Sequence, residues 1–361
     1  MHPLLFSSAP HLADSENIGW VPLVNGATPV HHFRGAAEWL GHDRLFIKRE
    51  DATDSLYGGN KVRNLEFLLG TALARGATRV ATIAPYGSNF VAAMAAQSRR
   101  VGLPSDVFHF VPSKSEQMEQ HARFSAQQGM RLNTLSGGRF LGAAKAQLSL
   151  WASSLVSQGA ALLPPGGSNA IGVLGHVNAV FELSKQILAG EIPEPDVLVV
   201  GTGTCGTMAG LLVGIRLAGL KTRVIGVRCV DPIFCNPLHI AFLANGALKL
   251  LRSSRRIRLS DIDLRDADGK LSYGDPLPFA GDLIEEVRSR SGVVLDTTYT
   301  TKVFAYLKAL EKTRELHGHD VLYWHTYSPA AMRVKLEPVR SSRELVSRAA
   351  NRPALVSGSV F

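Results

Sequence analysis

From Thr78 onward, short apolar segments alternate along the chain with longer segments in which apolar residues recur at helical spacing. Short runs of β-branched and other apolar residues predict strands. They lie at Arg79–Ala84, Asp106–Val111, Arg131–Leu135, Ala160–Leu163, Val197–Val200, Arg223–Val230 and Val321–His325. Longer runs with apolar residues at three- and four-residue spacing predict helices. They lie at Phe90–Val101, Lys114–Gln128, Gly142–Gln158, Ala170–Leu188, Thr207–Ala218, Asp282–Ser289 and Lys302–His317, and the second of them follows a capping-box pattern at Ser113 and Glu116.

Strands that alternate with helices in this way are typical of βαβ units and a mostly parallel sheet. The chain has 361 residues, of which 45% are hydrophobic, so it can bury two cores. We predict a smaller α/β domain at residues 57–165, inserted into a larger one made of residues 1–56 and 166–340. The β-like run Arg44–Lys48 is expected to pack with the strands of the larger domain. Residues 341–361 form a basic C-terminal tail.

One further helix is predicted directly after the stretch YGGNKVRN, which begins at Tyr57. Apolar residues there recur at the spacing of one buried helix face, and Gly76 is a natural stop. This pattern places Lys61 and Arg63 at the first turn, where the helix dipole disfavours cations and weakens the hold of a lysine on its proton. A deprotonated lysine is a nucleophile. The alternative is a solvated surface lysine.

The net charge of +9 is concentrated in two segments. Lys249–Arg258 holds five cations and no acid, and residues 332–361 hold six cations and two acids. Neither segment interleaves aromatic residues as a stacking platform for nucleic acid would. We therefore expect solvated basic surfaces and no nucleic-acid partner.

No segment has the pattern of a membrane span or of a secretion signal. The N-terminus MHPLLFSSAP lacks a basic region and a long apolar run. Val197–Ile215 is uncharged, but its glycines and threonines make it a poor membrane span. We interpret the spacing of Gly206, Gly210 and Gly214 as a helix that packs closely on a sheet. The expectation is a cytoplasmic protein with no membrane partner.

The cysteines predict neither a metal site nor a disulfide framework. Cys205, Cys229 and Cys235 have no paired spacing, which fits a reducing compartment. The run His317–Asp320 lies between a helix pattern and a strand pattern, so a polar turn is favoured over a metal site. We predict no metal.

A glycine-rich loop follows the strand at Val197–Val200 and precedes a helix. Its sequence is GTGTCGT, from Gly201 to Thr207, and we call it the anion loop. Backbone N–H groups at such a turn bind an anion. Its threonine hydroxyls suit a terminal phosphate. The same residues match the G-x-G-x-x-G pattern of a dinucleotide site, with Asp231 after the next strand, and a purely structural turn is the third possibility.

Two further strand-to-helix turns have the composition of anion sites. Pro85–Asn89 contains Ser88 and Asn89, which are also good helix caps, and a carboxylate is the ligand we consider there. Gly166–Asn169 is the second of these turns. A phosphate site, a lysine at a helix start and a carboxylate-sized site together suggest pyridoxal 5′-phosphate with an amino acid substrate.

The sequence resembles the D-cysteine desulfhydrase and 1-aminocyclopropane-1-carboxylate deaminase family, within the tryptophan synthase β-type, fold type II enzymes that use pyridoxal phosphate. The similarity covers about residues 20–330. The segments that show the similarity are IKREDATDSLYGGNKVRNLEFLL, the SN of YGSN, PPGGSNAIGVLGHVNAVFEL, GTGTCGT, SYGDP, LDTTYTTK and LYWHT. The resemblance implies two three-layer α/β/α domains with mostly parallel sheets, pyridoxal phosphate in the cleft between them, and a homodimer.

The resemblance also implies a role for each matching residue. Lys61 corresponds to the Schiff-base lysine that also moves protons. Ser88, Asn89 and Gly87 correspond to the substrate site, with Asn89 near the phenolic oxygen of the cofactor and Ser88 at the substrate carboxylate. The remaining matches are the phosphate-binding Gly201, Thr202, Gly203, Thr204, Gly206 and Thr207, the active-site Tyr273 and Tyr299, and Thr326 at the pyridine nitrogen.

These roles imply an α,β-elimination that converts a small α-amino acid into a 2-oxo acid and ammonia. Thr300 follows the desulfhydrase pattern, whereas cyclopropane-opening enzymes have a glutamate there. Gly87, Phe90 and Tyr327 depart from the common family residues, so β-replacement, cyclopropane opening or another specialised amino-acid reaction stays open. Outside this class, an NAD(P)-dependent oxidoreductase and a non-catalytic binding module remain alternatives.

Overall fold

The computed structural model describes residues 2–110, 115–134, 149, 151–267 and 273–333. Within them, six strands form the larger sheet, in the order β1-β2-β10-β7-β8-β9. They are β1 Val30–His32, β2 Leu45–Arg49, β7 Val197–Thr202, β8 Arg223–Arg228, β9 Asp263–Asp266 and β10 Val321–His325. The β1–β2 pair is antiparallel, and the other pairs of this sheet are parallel.

The smaller sheet has the order β5-β4-β3-β6, and its strands are all parallel. They are β3 Arg79–Pro85, β4 Ser105–Phe110, β5 Arg131–Thr134 and β6 Ala160–Leu163. These strands all lie within residues 79–163, and the domain division at residues 57–165 stays a prediction.

Helices follow most of the strands. They are α1 Leu5–Ser8, α2 Arg34–Leu40, α3 Lys61–Ala74, α4 Asn89–Arg100, α5 Glu116–Gln127, α6 at residues 151–157, α7 Ala170–Leu188, α8 Gly206–Ala218, α9 Pro237–Leu250, α10 Ala280–Ser291, α11 Thr300–Lys312 and α12 Ala330–Arg333. Short 3₁₀ turns lie at Pro10–Leu12, Glu50–Ala52, Pro165–Gly167 and Leu259–Asp261.

Both faces of the larger sheet are covered, because successive residues of its central strands enter different cores. Leu198 and Trp324 pack in the core that contains α7, α8 and α9. Val199 and Tyr323 pack in the core that contains α2, α10 and α11. This gives three layers and explains why β7 and β10 each contain a continuous buried apolar run, at Val197–Val200 and Val321–Trp324.

The predicted strands and helices are present within the described residues, with shifted ends. The helix predicted at Gly142–Gln158 lies partly outside the described residues, and residues 151–157 of it are helical. Ser113 of the predicted capping box lies outside the described residues, and the described helix begins at Glu116 with Ser115 as its cap, whose hydroxyl accepts from Met118 N.

Six helices and strands were not predicted: β1, β9, α1, α2, α9 and α12. Strand β9 is a polar edge strand, and its residues Asp263 and Arg265 form ion pairs with each other rather than filling a core. Helix α9 does carry start signals, since Asn236 caps it through His239 N and Pro237 is at its first position. The sequence interpretation overlooked that signal.

The interpretation of the glycine spacing in α8 is corrected by the packing. A Cβ at Gly210 would lie 2.4 Å from the Cβ of His176, and one at Gly214 would lie 2.5 Å from the Cβ of Val180. These neighbours belong to helix α7, so α8 packs closely on a helix rather than on a sheet. Val197–Ile215 is thus a strand, the anion loop and a helix, and no helix among the described residues could cross a membrane.

Candidate functional site

A cleft lies where the start of α3, the start of α4 and the carboxyl end of β7 meet. It encloses about 430 Å³ of empty space, including its open mouth. The described residues that line it are Asn60, Lys61, Asn89, the anion loop from Gly201 to Thr207, Tyr299 and Thr326. The chain therefore brings Lys61 and the anion loop, which are 140 residues apart in sequence, to one place.

Lys61 is the first residue of α3, as the pattern predicts. Its Nζ donates to Gly166 O over 3.0 Å. Burial lowers the pKa of Lys61 to about 8, and the nearby Cys205 opposes that shift. The predicted direction is right, but the cause is burial rather than the helix terminus. An amine with this pKa is largely unprotonated above pH 8 and can act as a nucleophile or base.

The second cation of the stretch, Arg63, also belongs to α3, and its side chain lies in a buried cluster of charges. Its guanidinium contacts Glu50 at 2.9 Å and Glu182 at 2.8 Å, and all three side chains are buried. Lys48 adds a contact of 2.6 Å to Glu182. Thr28 and Gln186 complete the hydrogen bonds of these groups. The two cations and two carboxylates balance, so the cluster is electrically neutral.

The anion loop has the shape of an anion site. Cys205 lies in the left-handed region with φ +68°, immediately before the N-terminus of α8. A Cβ at Gly203 would lie 2.8 Å from the ring of Tyr299, so only glycine leaves the observed space. Thr204 Oγ1 is 2.7 Å from Ser168 Oγ, which joins the loop to the turn before α7.

The turn at Ser88 and Asn89 lies on the opposite side of the cleft. Ser88 is in the N-cap position of α4, but its hydroxyl does not cap that helix. Asn89 Oδ1 is buried and has no hydrogen-bond partner among the described residues, while its Nδ2 is 3.5 Å from Asp296 Oδ2. The capping explanation therefore does not account for Ser88, and Asn89, which lines the cleft, has a buried amide oxygen without a partner among the described residues.

Gly87 does not line the cleft. A Cβ there would lie 2.3 Å from Met118 Cα, and its φ is +68°. Its carbonyl accepts from His121 Nδ1 over 3.0 Å. The glycine is thus explained by the close packing of α5 on this turn, and its assignment to the substrate site is left as a proposal. Phe90 is also turned away, because it is buried in a core and its ring packs against Gly167.

The two predicted tyrosines form a pair beside the cleft. The rings of Tyr273 and Tyr299 are 6.1 Å apart at 68°. Burial raises the pKa of each hydroxyl. Hydrogen bonds from Ser88 and Tyr299 partly oppose the rise in the pKa of Tyr273. Among the described residues, Tyr299 lines the cleft itself, whereas Ser88 and Tyr273 do not line it.

Thr326 lines the cleft as predicted, and its carbonyl accepts from Asn60 N over 3.2 Å. The next residue, Tyr327, is buried, and its ring lies 6.2 Å from that of His121. The large side chain of Tyr327 therefore packs against α5.

Sequence reasoning missed three residues of the site. Asn60 donates to Thr207 Oγ1 over 2.8 Å, and it lies inside the quoted stretch YGGNKVRN. Cys205 lines the cleft. Asp296 is buried and accepts from the N–H and hydroxyl groups of Thr300. Its position in the motif LDTTYTTK was the available signal.

The residues present fit pyridoxal 5′-phosphate. The anion loop offers N–H groups and hydroxyls for a phosphate, Lys61 offers an amine of lowered pKa for an aldehyde, and Asn89 Oδ1 lacks a partner. For a metal the described residues offer no cluster of three or more possible ligands.

Comparisons with known proteins agree with this fit. The sequence model of the family described as "Pyridoxal-phosphate dependent enzyme" matches residues 21–326. A D-cysteine desulfhydrase of Serratia proteamaculans is 30% identical over 320 residues, covering 86% of this chain and 94% of that protein. A Pyrococcus horikoshii protein, provisionally named a 1-aminocyclopropane-1-carboxylate deaminase, is 28% identical and covers 90% of this chain and 95% of its own length.

Among solved structures, one titled as the ACC deaminase homologue superimposes with a TM-score of 0.76. It is 28% identical and covers 92% of this chain and 97% of its own. The threonine deaminase isoform 2 of Solanum lycopersicum, with a TM-score of 0.58 and 14% identity, shows the shared fold.

Proposed function

Because the chain belongs to the pyridoxal-phosphate dependent enzyme family, we propose that it catalyses an α,β-elimination on a small α-amino acid. The products are a 2-oxo acid and ammonia, as in a D-cysteine desulfhydrase. The observation that carries the proposal is the meeting of Lys61 and the anion loop in one cleft. The relatives named as desulfhydrases support the choice of reaction.

When bound, the cofactor would link to the substrate amine and withdraw electrons from the α-carbon, which makes the α-proton acidic. The N–H groups of the anion loop would hold its phosphate. Asn89 would contact the ring oxygen, and Thr326 would lie at the ring nitrogen. Lys61, with a pKa of about 8, would take the α-proton once the substrate has replaced it.

Ser88 and Tyr273 suit the substrate carboxylate and the leaving group. The Ser88 hydroxyl does not cap α4 and instead bonds to the Tyr273 hydroxyl. Burial raises the pKa of Tyr273, so its hydroxyl stays protonated at neutral pH and can donate a hydrogen bond. A departing thiolate is the kind of group that would accept such a hydrogen bond.

Elimination is favoured over cyclopropane opening by the environment of Thr300. Its hydroxyl is buried and bonds to Asp296 Oδ1 over 2.6 Å, at the start of α11. Cyclopropane-opening enzymes have a glutamate at this position. In this chain the position is occupied by Thr300, whose hydroxyl bonds at the start of α11. It adds no second carboxylate to the site.

The test begins with the absorption spectrum of the purified protein, borohydride reduction and peptide mass mapping. A visible band that disappears on reduction, with a pyridoxyl mass on Lys61, supports the proposal, and the Lys61→Arg variant should carry no such mass. A mass on another lysine, or none after added cofactor, contradicts it. Release of sulfide and 2-oxo acid from D-cysteine, compared with L-cysteine and 1-aminocyclopropane-1-carboxylate, then tests the reaction.

We also propose a cytoplasmic homodimer. Four apolar side chains of one segment, Ile233, Phe234, Leu238 and Phe242, are each at least 60% exposed, which is unusual for a surface without a partner. The three cysteines are free thiols, in keeping with a reducing compartment. Light scattering tests the dimer: Leu238→Ser with Phe242→Ser should give monomers, and an unchanged mass would contradict this surface.

A further inference from the structure

A buried histidine lies behind the anion loop and has no part in the proposed reaction. His176, on α7, is fully buried. Its Nε2 is 3.0 Å from Asn64 Oδ1 and 3.3 Å from Thr207 Oγ1. Helix α8 packs so closely here that a Cβ at Gly210 would lie 2.4 Å from the Cβ of His176. The imidazole is therefore held in place against Thr207, the second residue of α8.

The neighbours of the imidazole determine which nitrogen carries its proton. Asn64 Nδ2 donates to Gly172 O over 3.0 Å and to Gly167 O over 3.3 Å. Because carbonyls only accept, the amide must present its nitrogen to them and its Oδ1 to His176. Burial, with the positive charges of Lys61 and Arg63, lowers the pKa of His176 well below its usual value. The ring is thus neutral, and its single proton is on Nε2, facing Asn64 and Thr207.

With this tautomer, the hydroxyl oxygen of Thr207 accepts hydrogen bonds from its neighbours. Asn60 Nδ2 donates to Thr207 Oγ1 over 2.8 Å, and the N–H of His176 is shared between Asn64 Oδ1 at 3.0 Å and Thr207 Oγ1 at 3.3 Å. A hydroxyl has two lone pairs and one hydrogen. With donors facing both lone pairs, the hydrogen must point elsewhere, and Thr207 lines the cleft.

We propose that His176 is a positioning residue that, together with Asn60, holds the hydroxyl of Thr207 as a hydrogen-bond donor to the cofactor phosphate. This inference rests on the proposed function, because the phosphate is that of pyridoxal 5′-phosphate. His176 does not touch the cofactor. Its effect is confined to the phosphate end, since Thr207 belongs to the anion loop.

Two amide replacements separate this role from packing. In His176→Gln the amide nitrogen reaches about the place of Nε2, whereas the shorter side chain of His176→Asn does not. The affinities of the full-length apoprotein for pyridoxal 5′-phosphate and for pyridoxal, which lacks the phosphate, are measured by absorbance titration. His176→Asn should weaken pyridoxal 5′-phosphate binding about tenfold, the equivalent of one hydrogen bond, and leave pyridoxal binding unchanged.

His176→Gln should keep the wild-type preference for the phosphorylated ligand. Thr207→Val added to His176→Asn should cause no further loss, because both changes remove the same donor. An equal loss for both ligands would show a packing role, and no loss would also overturn the inference. If the wild-type protein does not distinguish pyridoxal 5′-phosphate from pyridoxal, the proposed function fails as well.

Nitrogen-15 NMR of the imidazole tests the tautomer without any substitution. We expect the proton on Nε2 in the wild-type protein. A proton on Nδ1 would overturn the inference even if the variants at position 176 failed to fold.

Discussion

Lys61 donates a hydrogen bond to the carbonyl of Gly166 over 3.0 Å, although the two residues are 105 positions apart. The bond joins the first residue of α3 to the turn that precedes α7. It keeps the amine at the cleft, where burial lowers its pKa. The chemistry of this lysine thus depends on a distant turn as much as on its own helix.

The first prediction concerns the acidity of that amine. Because the pKa of Lys61 is lowered from 10.5 to about 8, its labelling by trace acetic anhydride in the apoprotein should reach half of its maximum at about pH 8. Exposed Lys185 provides the reference curve in the same peptide map. A Lys61 curve that coincides with that of Lys185 would show an ordinary surface amine.

The buried charge cluster should be highly sensitive to the loss of one partner. Arg63→Met leaves Glu50 and Glu182 without their shared cation, and we expect a loss of about 3–5 kcal/mol in the free energy of unfolding. Arg288→Ala is the control, because its pair with Glu285 is exposed and should contribute less than about 1 kcal/mol. Chemical denaturation measures both. Equal small losses would mean that the cluster contributes little to stability.

The anion loop should not tolerate a side chain at Gly203. In Gly203→Ala the new Cβ would lie 2.8 Å from the Tyr299 ring, so the loop or the ring must move. We expect affinity for pyridoxal 5′-phosphate to fall at least about tenfold. Gly281→Ala, in open space on α10, should leave cofactor affinity unchanged. Unaltered binding by Gly203→Ala would refute the argument from shape.

Gly87 and Gly102 form a matched pair that separates strain from crowding. Both have φ near +70°, but a Cβ at Gly87 meets Met118 at 2.3 Å, whereas one at Gly102 meets nothing within 4 Å. Gly102→Ala should cost about 1–2 kcal/mol from its backbone alone. Gly87→Ala should cost clearly more and reduce the helical content of α5, as measured by hydrogen exchange. Equal costs would contradict the close packing of α5.

Glu66 should make stability depend on pH in the weakly acidic range. Burial raises its pKa from 4.5 to about 7, so between these values the native state holds a proton that the unfolded chain has released. The contribution of Glu66 to the free energy of unfolding therefore falls as pH rises from 4.5 to 7. Relative to the wild type, the free energy of unfolding of Glu66→Gln, measured by denaturant titration, should increase over that pH range. The same change at exposed Glu38 is the control, and a gain of the same size there would count against burial as the cause.

Local patterns were sufficient to predict most of the secondary structure and the position of Lys61. The apolar spacing of α3 and the strand before the anion loop each need only neighbouring residues. Strand β9 was missed because edge strands do not require the apolar run that identifies a central strand. The assignment of Gly87 to the substrate site stays a proposal, and its close contact with Met118 could not be predicted from sequence spacing.

The cause of the lowered Lys61 pKa also could not be predicted. A helix terminus is visible in sequence, but burial is the sum of groups brought from distant segments. The partner of Arg63 is another example, since Glu182 is 119 residues away. What the sequence lacks is the set of distances on which electrostatic interactions depend.

The polar edge strand β9 has a consequence for the protein at high concentration. Asp263 and Arg265 are joined to Glu315 and Arg223, and Asp266 is joined to Arg228, so the outer margin of the sheet is lined by paired charges. An incoming strand from another molecule would have to strip water from these groups before it could bond to the backbone. The β9 edge of the larger sheet therefore opposes growth by the addition of another strand.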